Sequence, residues 1–307
     1  MNPKILLVDD LDDVLDSYED ILRNQGYDLR RAKTRESALT ALEVEGPFDV
    51  VLLDERLNGP GGGESAASLL VEIAARSPDA RMIVITGYAR RELVRAALAV
   101  GAWDYLQKDE FLDILLPAKV RQAMDAALER RLNRASPADI ESALRTTWAR
   151  ARTETNRQQK GALLEQTLTL LFRTLPGLGR LRSNWRSDVE EIDLVVSNES
   201  TDPLLSREGS LWLVECKNWS KPVDPQEVTV FRSKLKERFG RVRLGLFIAV
   251  GGFTKNVQPV MDRMSNEREL LVLIVGDQLA AWIDASDRVA WLKHRIEEAM
   301  LRSGAQG

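Results

Sequence analysis

The chain has 307 residues, 44% of them apolar, with one Cys, one His and a formal net charge of -4. Its length exceeds one typical domain of ~100 to 200 residues, so two domains joined by a connector are expected, each with apolar residues enough for a core. A single Cys excludes a disulfide framework and a Cys-rich zinc site, and a single His excludes His-rich metal chemistry, which leaves carboxylates to hold any metal.

Charge is uneven along the chain. Residues 1–116 carry 22 acidic and 13 basic side chains, residues 117–159 carry 5 and 9, and residues 160–307 carry 20 and 21. These steps predict a first domain over 1–125, a helical connector over 126–158 and a second domain over 159–307. The acidic first domain is a poor partner for a polyanion, whereas the rest can bind one where its positive charge clusters. No basic start precedes an apolar run, and no apolar segment approaches the ~20 residues that span a bilayer, so a soluble, cytoplasmic protein without membrane contact is expected.

The opening KILLVDD is a short apolar run ending in paired carboxylates, and Val14, Leu15, Tyr18, Ile21 and Leu22 follow on one face of a helix. FDVVLLDE (48–55) and RMIVITG (81–87) repeat this strand-to-helix unit, with YDLRRA (27–32) and WDYLQK (103–108) as further short strands. The alternation predicts an α/β fold with a doubly wound, five-stranded parallel sheet, in which the carboxyl ends of neighbouring strands share one crevice. The residues at those ends are Asp9, Asp10, Asp54, Thr86 and Lys108. Three carboxylates in one crevice repel unless a hard divalent cation joins them, and Mg2+ is the natural occupant. A carboxylate accepts a phosphoryl group when a metal neutralises the phosphate oxygens, and Asp54, alone on the central strand, is the expected acceptor.

This order and spacing resemble the flavodoxin-like receiver domain of two-component response regulators, over residues 3 to about 125. The resemblance implies that Asp9, Asp10 and Asp54 bind Mg2+ together with the backbone carbonyl of Arg56. It also implies that a cognate histidine kinase phosphorylates Asp54, that Thr86 senses the phosphate and that Lys108 pairs with it. Tyr105 falls at the family's aromatic switch position; a plain half-buried strand aromatic is the other reading. Two features depart from the family: RLNGPGGGES follows the acceptor in place of Met-Pro, and Asp109 follows the lysine in place of Pro. Neither removes a reacting group. Gly61 to Gly63 read as a flexible loop, because no GKS or GKT follows to make a nucleotide site.

From Phe111 to about Gln159 the pattern is helical, with Leu112, Leu116, Val120, Met124, Ala127 or Leu128, and Leu132 spaced three to four apart. Ser136 and Pro137 suit the start of a new helix, on which Ile140, Leu144 and Trp148 continue the stripe. Two readings stand: one-sided packing on the receiver, or a helix that pairs two copies into a homodimer.

In the second domain a helix over 162–175 carries Glu165, and Ile192, Leu194 and Val196 alternate with Asp193 and Val195 on a strand. In LWLVECKNW, Glu215 and Lys217 share one strand face, with Val214 and Cys216 on the other. A carboxylate and an ammonium on one face of an apolar strand fit metal-assisted phosphodiester hydrolysis. Asp193 and Glu215 hold Mg2+, for which Mn2+ can substitute, and Lys217 orients the attacking water; Glu165 completes the site directly or through water. The set Glu, Asp, Glu-x-Lys resembles the PD-(D/E)xK nuclease superfamily over about residues 158–285, with VECKNWSKPV and RLGLFIAVGGFTKNV closest to its Mrr-type restriction endonuclease branch. The resemblance implies a restriction-endonuclease-like α/β domain. Ile192-Asp193 replaces the superfamily's Pro-Asp, and Gln226 falls where related nucleases have a polar helper. Cys216 reads as a buried apolar residue and His294 as a surface one.

Basic residues cluster at Arg173, Arg180, Arg182 and Arg186, and again from Arg232 to Arg243. Arg182, Arg186, Lys234 and Lys236 are the expected DNA-backbone contacts; a solvated helix face is the alternative for the second cluster. The whole reads as a response regulator whose Mg2+-dependent DNA endonuclease is controlled at Asp54. The alternative is a phosphorylation-controlled DNA-binding regulator whose nuclease fold no longer cuts.

Overall fold

The computed structural model describes residues 3–23, 27–57, 64–88, 91–186, 191–238, 242–263 and 268–303. The chain forms two compact units, Met1–Ala135 and Ser136–Gly307.

The first unit runs β1 (Lys4–Val8), α1 (Asp12–Leu22), β2 (Asp28–Ala32), α2 (Arg35–Val44), β3 (Val50–Asp54), β4 (Arg56–Leu57), β5 (Glu64–Ser65), α3 (Ala66–Arg76), β6 (Arg81–Thr86), α4 (Arg91–Ala99), β7 (Asp104–Gln107) and α5 (Leu112–Arg134). Five strands form one parallel sheet in the order β2-β1-β3-β6-β7, and β4 and β5 make a separate short antiparallel ladder. The central strands are apolar at nearly every position because both faces are covered. Leu6, Val8, Val51, Leu53 and Val84 enter one core, and Ile5, Leu7, Val50, Leu52, Ile83 and Ile85 the other.

The second unit runs α6 (Pro137–Thr153), α7 (Arg157–Arg173), β8 (Leu178–Arg186), β9 (Glu191–Asn198), β10 (Leu211–Lys217), α8 (Pro225–Lys236), β11 (Val242–Ala249), α9 (Gln258–Arg263), β12 (Leu270–Val275), α10 (Gly276–Asp284) and α11 (Arg288–Ser303). Its mixed sheet has the order β12-β11-β10-β9-β8: β10, β11 and β12 are parallel, and β8 and β9 are antiparallel to their neighbours. One face packs on α8 through Leu213, Phe247, Val228, Phe231 and Leu235. On the α7 and α10 side, Phe172 meets Trp282 edge-on at 5.7 Å, and Trp282 stacks on Trp291 of α11 at 5.2 Å.

The stretch 126–158, expected as a connector, is divided between the units. α5 stays on the receiver-like sheet to its end: Leu116, Val120 and Met124 enter the core, Arg131 pairs with Asp49 at 2.9 Å and Arg134 with Asp79 at 2.7 Å. α6 belongs to the second unit, started by a capping box between Ser136 and Asp139. Arg288 holds its Glu141 at 2.8 Å and Asp284 holds its Arg145 at 2.9 Å. The stripe that could have paired two copies is thus largely buried within each unit, with Leu144 and Trp148 enclosed as well. Packing on the receiver, one of the two expectations, describes α5; α6 departs from it, because its apolar positions Leu144 and Trp148 are buried within the second unit instead. Among the described residues no helix is long and apolar enough to cross a membrane.

Candidate phosphoacceptor and nuclease sites

In the first unit, register brings the chemistry together. Val8 pairs with Leu53, Asp54 with Ile85 and Thr86 with Gln107, so Asp9, Asp54, Thr86 and Lys108 leave the sheet at one carboxyl edge. Asp9 is fully buried and Asp54 is 8% exposed. The Lys108 ammonium bridges them, at 2.7 Å from Asp9 Oδ2 and 2.7 Å from Asp54 Oδ1. The remaining oxygens accept backbone N–H groups: Leu11 N donates to Asp9 at 3.0 Å and Arg56 N to Asp54 at 2.9 Å. Burial raises the Asp9 carboxyl, against the opposing pull of Lys108. Burial alone would lower Lys108, yet its bonds to Asp54 and Asp9 outweigh this and hold it above its ordinary value.

Thr86 is buried, and its hydroxyl donates to Glu55 Oε2 at 2.5 Å while accepting from Tyr88 N at 3.1 Å. Glu55 as partner of the expected phosphate sensor has no signature in sequence, since nothing in a DE pair tells which side chain turns toward the next strand. Tyr105 is half-buried, packed on the core that includes Val84, and burial pushes its phenol up. Asp10 is half-buried beside the edge. Gly61 to Gly63 lie outside the described residues.

In the second unit Val214 pairs with Leu194, which sets Glu215 beside Asp193 on the next rung of the antiparallel ladder. Glu215 is 5% exposed. Asp193 Oδ2 accepts Cys216 N at 2.7 Å, and Lys217 Nζ donates to Glu215 Oε1 at 2.6 Å. Burial first, and then the charge of Glu215, push the Asp193 carboxyl up to about 6 from 3.8. Lys217 is held above its ordinary value because Glu215 and Asp193 outweigh the opposing effect of burial. Glu165 comes from α7, which packs on the other face of the sheet from α8, and its charge adds to the burial that raises the Cys216 thiol. Asp193, Glu215 and Lys217 are therefore gathered as expected on one face, while Glu165 approaches β10 from the Cys216 side.

Lys234 departs from expectation. A contact to DNA phosphates is expected of it, but its ammonium lies 2.9 Å from Glu215 Oε2 with 13% of the side chain exposed. The apolar positions Val228, Phe231 and Leu235 turn this part of α8 onto the sheet, and Lys234 turns with them. Lys236 is exposed. The side chains of Arg180, Arg182 and Arg186, and all of Arg241, lie outside the described residues. Gln226 is exposed at the start of α8, where its N–H donates to Asp224 at 3.3 Å, and His294 is exposed near Glu298. Asn218, next to Lys217, is buried; its Nδ2 donates to Ala151 O at 3.0 Å and Lys160 O at 2.8 Å, tying the end of α6 and the start of α7 to β10.

Among the described residues no three His, Cys, Asp or Glu side chains are arranged as a ready cage for a metal ion. Both sites nevertheless suit a hard cation. Each carries two carboxylates, the donors such a cation prefers, set against Lys108 in the first and against Lys217 and Lys234 in the second, where burial and then the charge of Glu215 raise Asp193.

Residues 5–118 match the response regulator receiver domain family, and residues 157–283 match the restriction endonuclease family of Mrr catalytic domains. Among curated proteins, the chain is similar to the two-component response regulator PprB of Pseudomonas aeruginosa, 32% identical over 104 residues that cover 34% of this chain and 38% of PprB. It is also similar to the response regulator protein PilR of the same organism, 33% identical over 141 residues that cover 46% of this chain and 29% of PilR. The chain thus spans well under half the length of the curated relatives it matches. Among solved structures, the CheY-like receiver domain protein of Methanospirillum hungatei is 29% identical, covers 42% of this chain and 99% of its own, and superposes with a TM-score of 0.38. The chain joins, in that order, a response regulator receiver domain and a restriction endonuclease-like domain.

Proposed function

We propose that the chain is a response regulator whose effector is a Mg2+-dependent DNA endonuclease governed by phosphorylation of Asp54. The observation that carries the nuclease reading is the convergence of Asp193, Glu215 and Lys217 on one face of neighbouring strands, with Asp193 raised by burial and then by the charge of Glu215. A divalent cation held by Asp193 and Glu215 would supply charge neutralisation at the scissile phosphate and a lower pKa for the attacking water. Lys217, kept in place by Glu215, orients that water or meets the charge that develops on the phosphate. Cys216 N, which donates to Asp193 Oδ2, would leave Oδ1 for the cation.

On the receiver side, a cognate histidine kinase supplies the phosphoryl group, and Asp9, Asp10, Asp54 and the carbonyl of Arg56 would hold Mg2+. Lys108 then pairs with the phosphoryl oxygens rather than with the Asp54 carboxylate. Thr86 leaves Glu55 for the phosphate, and Tyr105 follows it inward. The chain offers one covalent route onward: α5 passes through Ala135 into α6, whose Ala151 is bonded to the neighbour of Lys217. Two copies acting together would cut both strands of a duplex.

A second reading, a DNA-binding regulator that does not cut, draws on Lys234, which occupies the second oxygen of Glu215. The deciding experiment is cleavage of supercoiled and linear plasmid with Mg2+ or Mn2+, with and without beryllofluoride, for wild type, Glu215→Ala and Asp54→Asn. Metal-dependent cutting that Glu215→Ala abolishes and Asp54→Asn uncouples from beryllofluoride is expected. Binding without cutting under every condition supports the second reading.

A further inference from the structure

Glu215 carries a different ammonium on each oxygen: Lys217 on Oε1 at 2.6 Å and Lys234 on Oε2 at 2.9 Å. Lys217 follows from the two-residue period of β10. Lys234 arrives from another element and is held there by packing. α8 presses onto β11 through Phe231 and Leu235, both fully buried, and the glycine at 245 permits the approach. A Cβ at that position would lie 2.6 Å from Leu235 Cδ1 and 3.1 Å from Phe231 Cε1. The helix turn bearing Lys234 is therefore fixed against the sheet. An ammonium enclosed to this degree is costly unless a carboxylate answers it.

The four groups balance, two carboxylates against two ammonium groups. A divalent cation on Asp193 and Glu215 adds two positive charges and needs lone pairs of the oxygen that Lys234 Nζ now engages. Both effects oppose its entry while Lys234 stays where it is. A substrate phosphate reverses the balance, since it gives the displaced ammonium a new acceptor.

Resting on the nuclease reading above, we propose that Lys234 is a positioning residue that competes with the divalent cation for Glu215 Oε2 and yields it when a phosphate arrives. Cation and polyanion then bind with positive coupling, each easing the entry of the other. Such a device keeps the site closed to the metal until DNA is present.

The test is calorimetric titration of Mn2+ into the full chain carrying Asp9→Asn, Asp10→Asn and Asp54→Asn, which removes the receiver's own carboxylates. It compares Lys234, Lys234→Met and Lys234→Arg, with and without a phosphorothioate duplex. Lys234→Met should bind Mn2+ roughly tenfold tighter, because a like charge a few ångströms away is gone, and the duplex should no longer tighten it. Lys234→Arg should keep the original affinity and the coupling. Should the methionine variant melt below the assay temperature, Lys234→Gln replaces it. Mn2+ affinity that is unchanged or weaker in the folded neutral variants overturns the proposal, as does the absence of Mn2+ binding in all of them. The nuclease reading fails separately, if the wild-type chain binds Mn2+ and DNA but cleaves neither plasmid.

Discussion

The receiver and nuclease sites solve the same electrostatic problem in opposite ways. In the first unit one ammonium, Lys108, is shared between two carboxylates, Asp9 and Asp54, at 2.7 Å from each. In the second, two ammonium groups, Lys217 and Lys234, attend one carboxylate, Glu215, and Asp193 accepts the backbone N–H of Cys216. The topology explains the difference. Parallel strands ending at one edge point their last residues into a common crevice that a single long side chain can span. Antiparallel β9 and β10 set Asp193 and Glu215 side by side, so the ammonium groups gather on Glu215, and Asp193 is left with the repulsion. Burial first, and then the charge of Glu215, push its carboxyl up to about 6.

The largest effect expected from this comparison is on turnover. Glu215→Ala should lower plasmid cleavage by at least about 10³-fold, since several kcal/mol of charge stabilisation are lost at 1.36 kcal/mol per decade. Adding Asp193→Ala should cost little more, because the two act as one site. A double variant that loses the product of the single effects would show that the carboxylates act independently.

Next in size is the unequal protonation. Asp193 takes up a proton more readily when folded, so its contribution to stability is greatest at acid pH and falls as pH rises from about 4 through about 6. Asp193→Asn removes that loss and keeps an acceptor for Cys216 N. Urea midpoints at pH 4.5 and 7.5 without divalent metal should show the variant gaining on wild type by about 1 to 3 kcal/mol at the higher pH only. An equal change at both values breaks the contrast between the two sites.

Asn218→Ala tests whether the nuclease site depends on α6. Leaving the carbonyls of Ala151 and Lys160 without their donor should cost about 1 to 3 kcal/mol of stability in the second unit. It should also blunt the response of cleavage to beryllofluoride more than it lowers basal cutting. The smallest effect belongs to Glu55→Gln. Weakening a charged hydrogen bond on Thr86 by about 1 kcal/mol should tighten beryllofluoride binding several-fold, read by fluorescence. Weaker binding would mean that Glu55 supports the phosphorylated arrangement.

The receiver was the more legible half because its signals are local and repeated. KILLVDD, VVLLDE and RMIVITG are buried on both faces and each ends at the site, so strand order and chemistry coincide. Glu215 and Lys217 were legible through the two-residue period, and Asp193 through the order of acids and lysine that resembles the PD-(D/E)xK set. Lys234 was not, because in FRSKLKERFG its charge looks like part of a solvated basic run; only the packing of Phe231 and Leu235 turns it inward. Asn218 and Glu55 are single polar residues whose partners are distant in sequence or on a neighbouring strand.

By itself, the sequence determined the two domains, the parallel receiver sheet and the acids and lysines at the strand ends, because side-chain alternation and apolar runs are properties of neighbouring residues. The tertiary structure alone decided that α5 and α6 belong to different units, that Thr86 rests on Glu55, that Asn218 ties α6 to the end of β10 and that Lys234 faces Glu215. Each of those depends on how elements far apart in the chain pack, and packing is set by the apolar neighbours of a polar side chain rather than by the side chain itself.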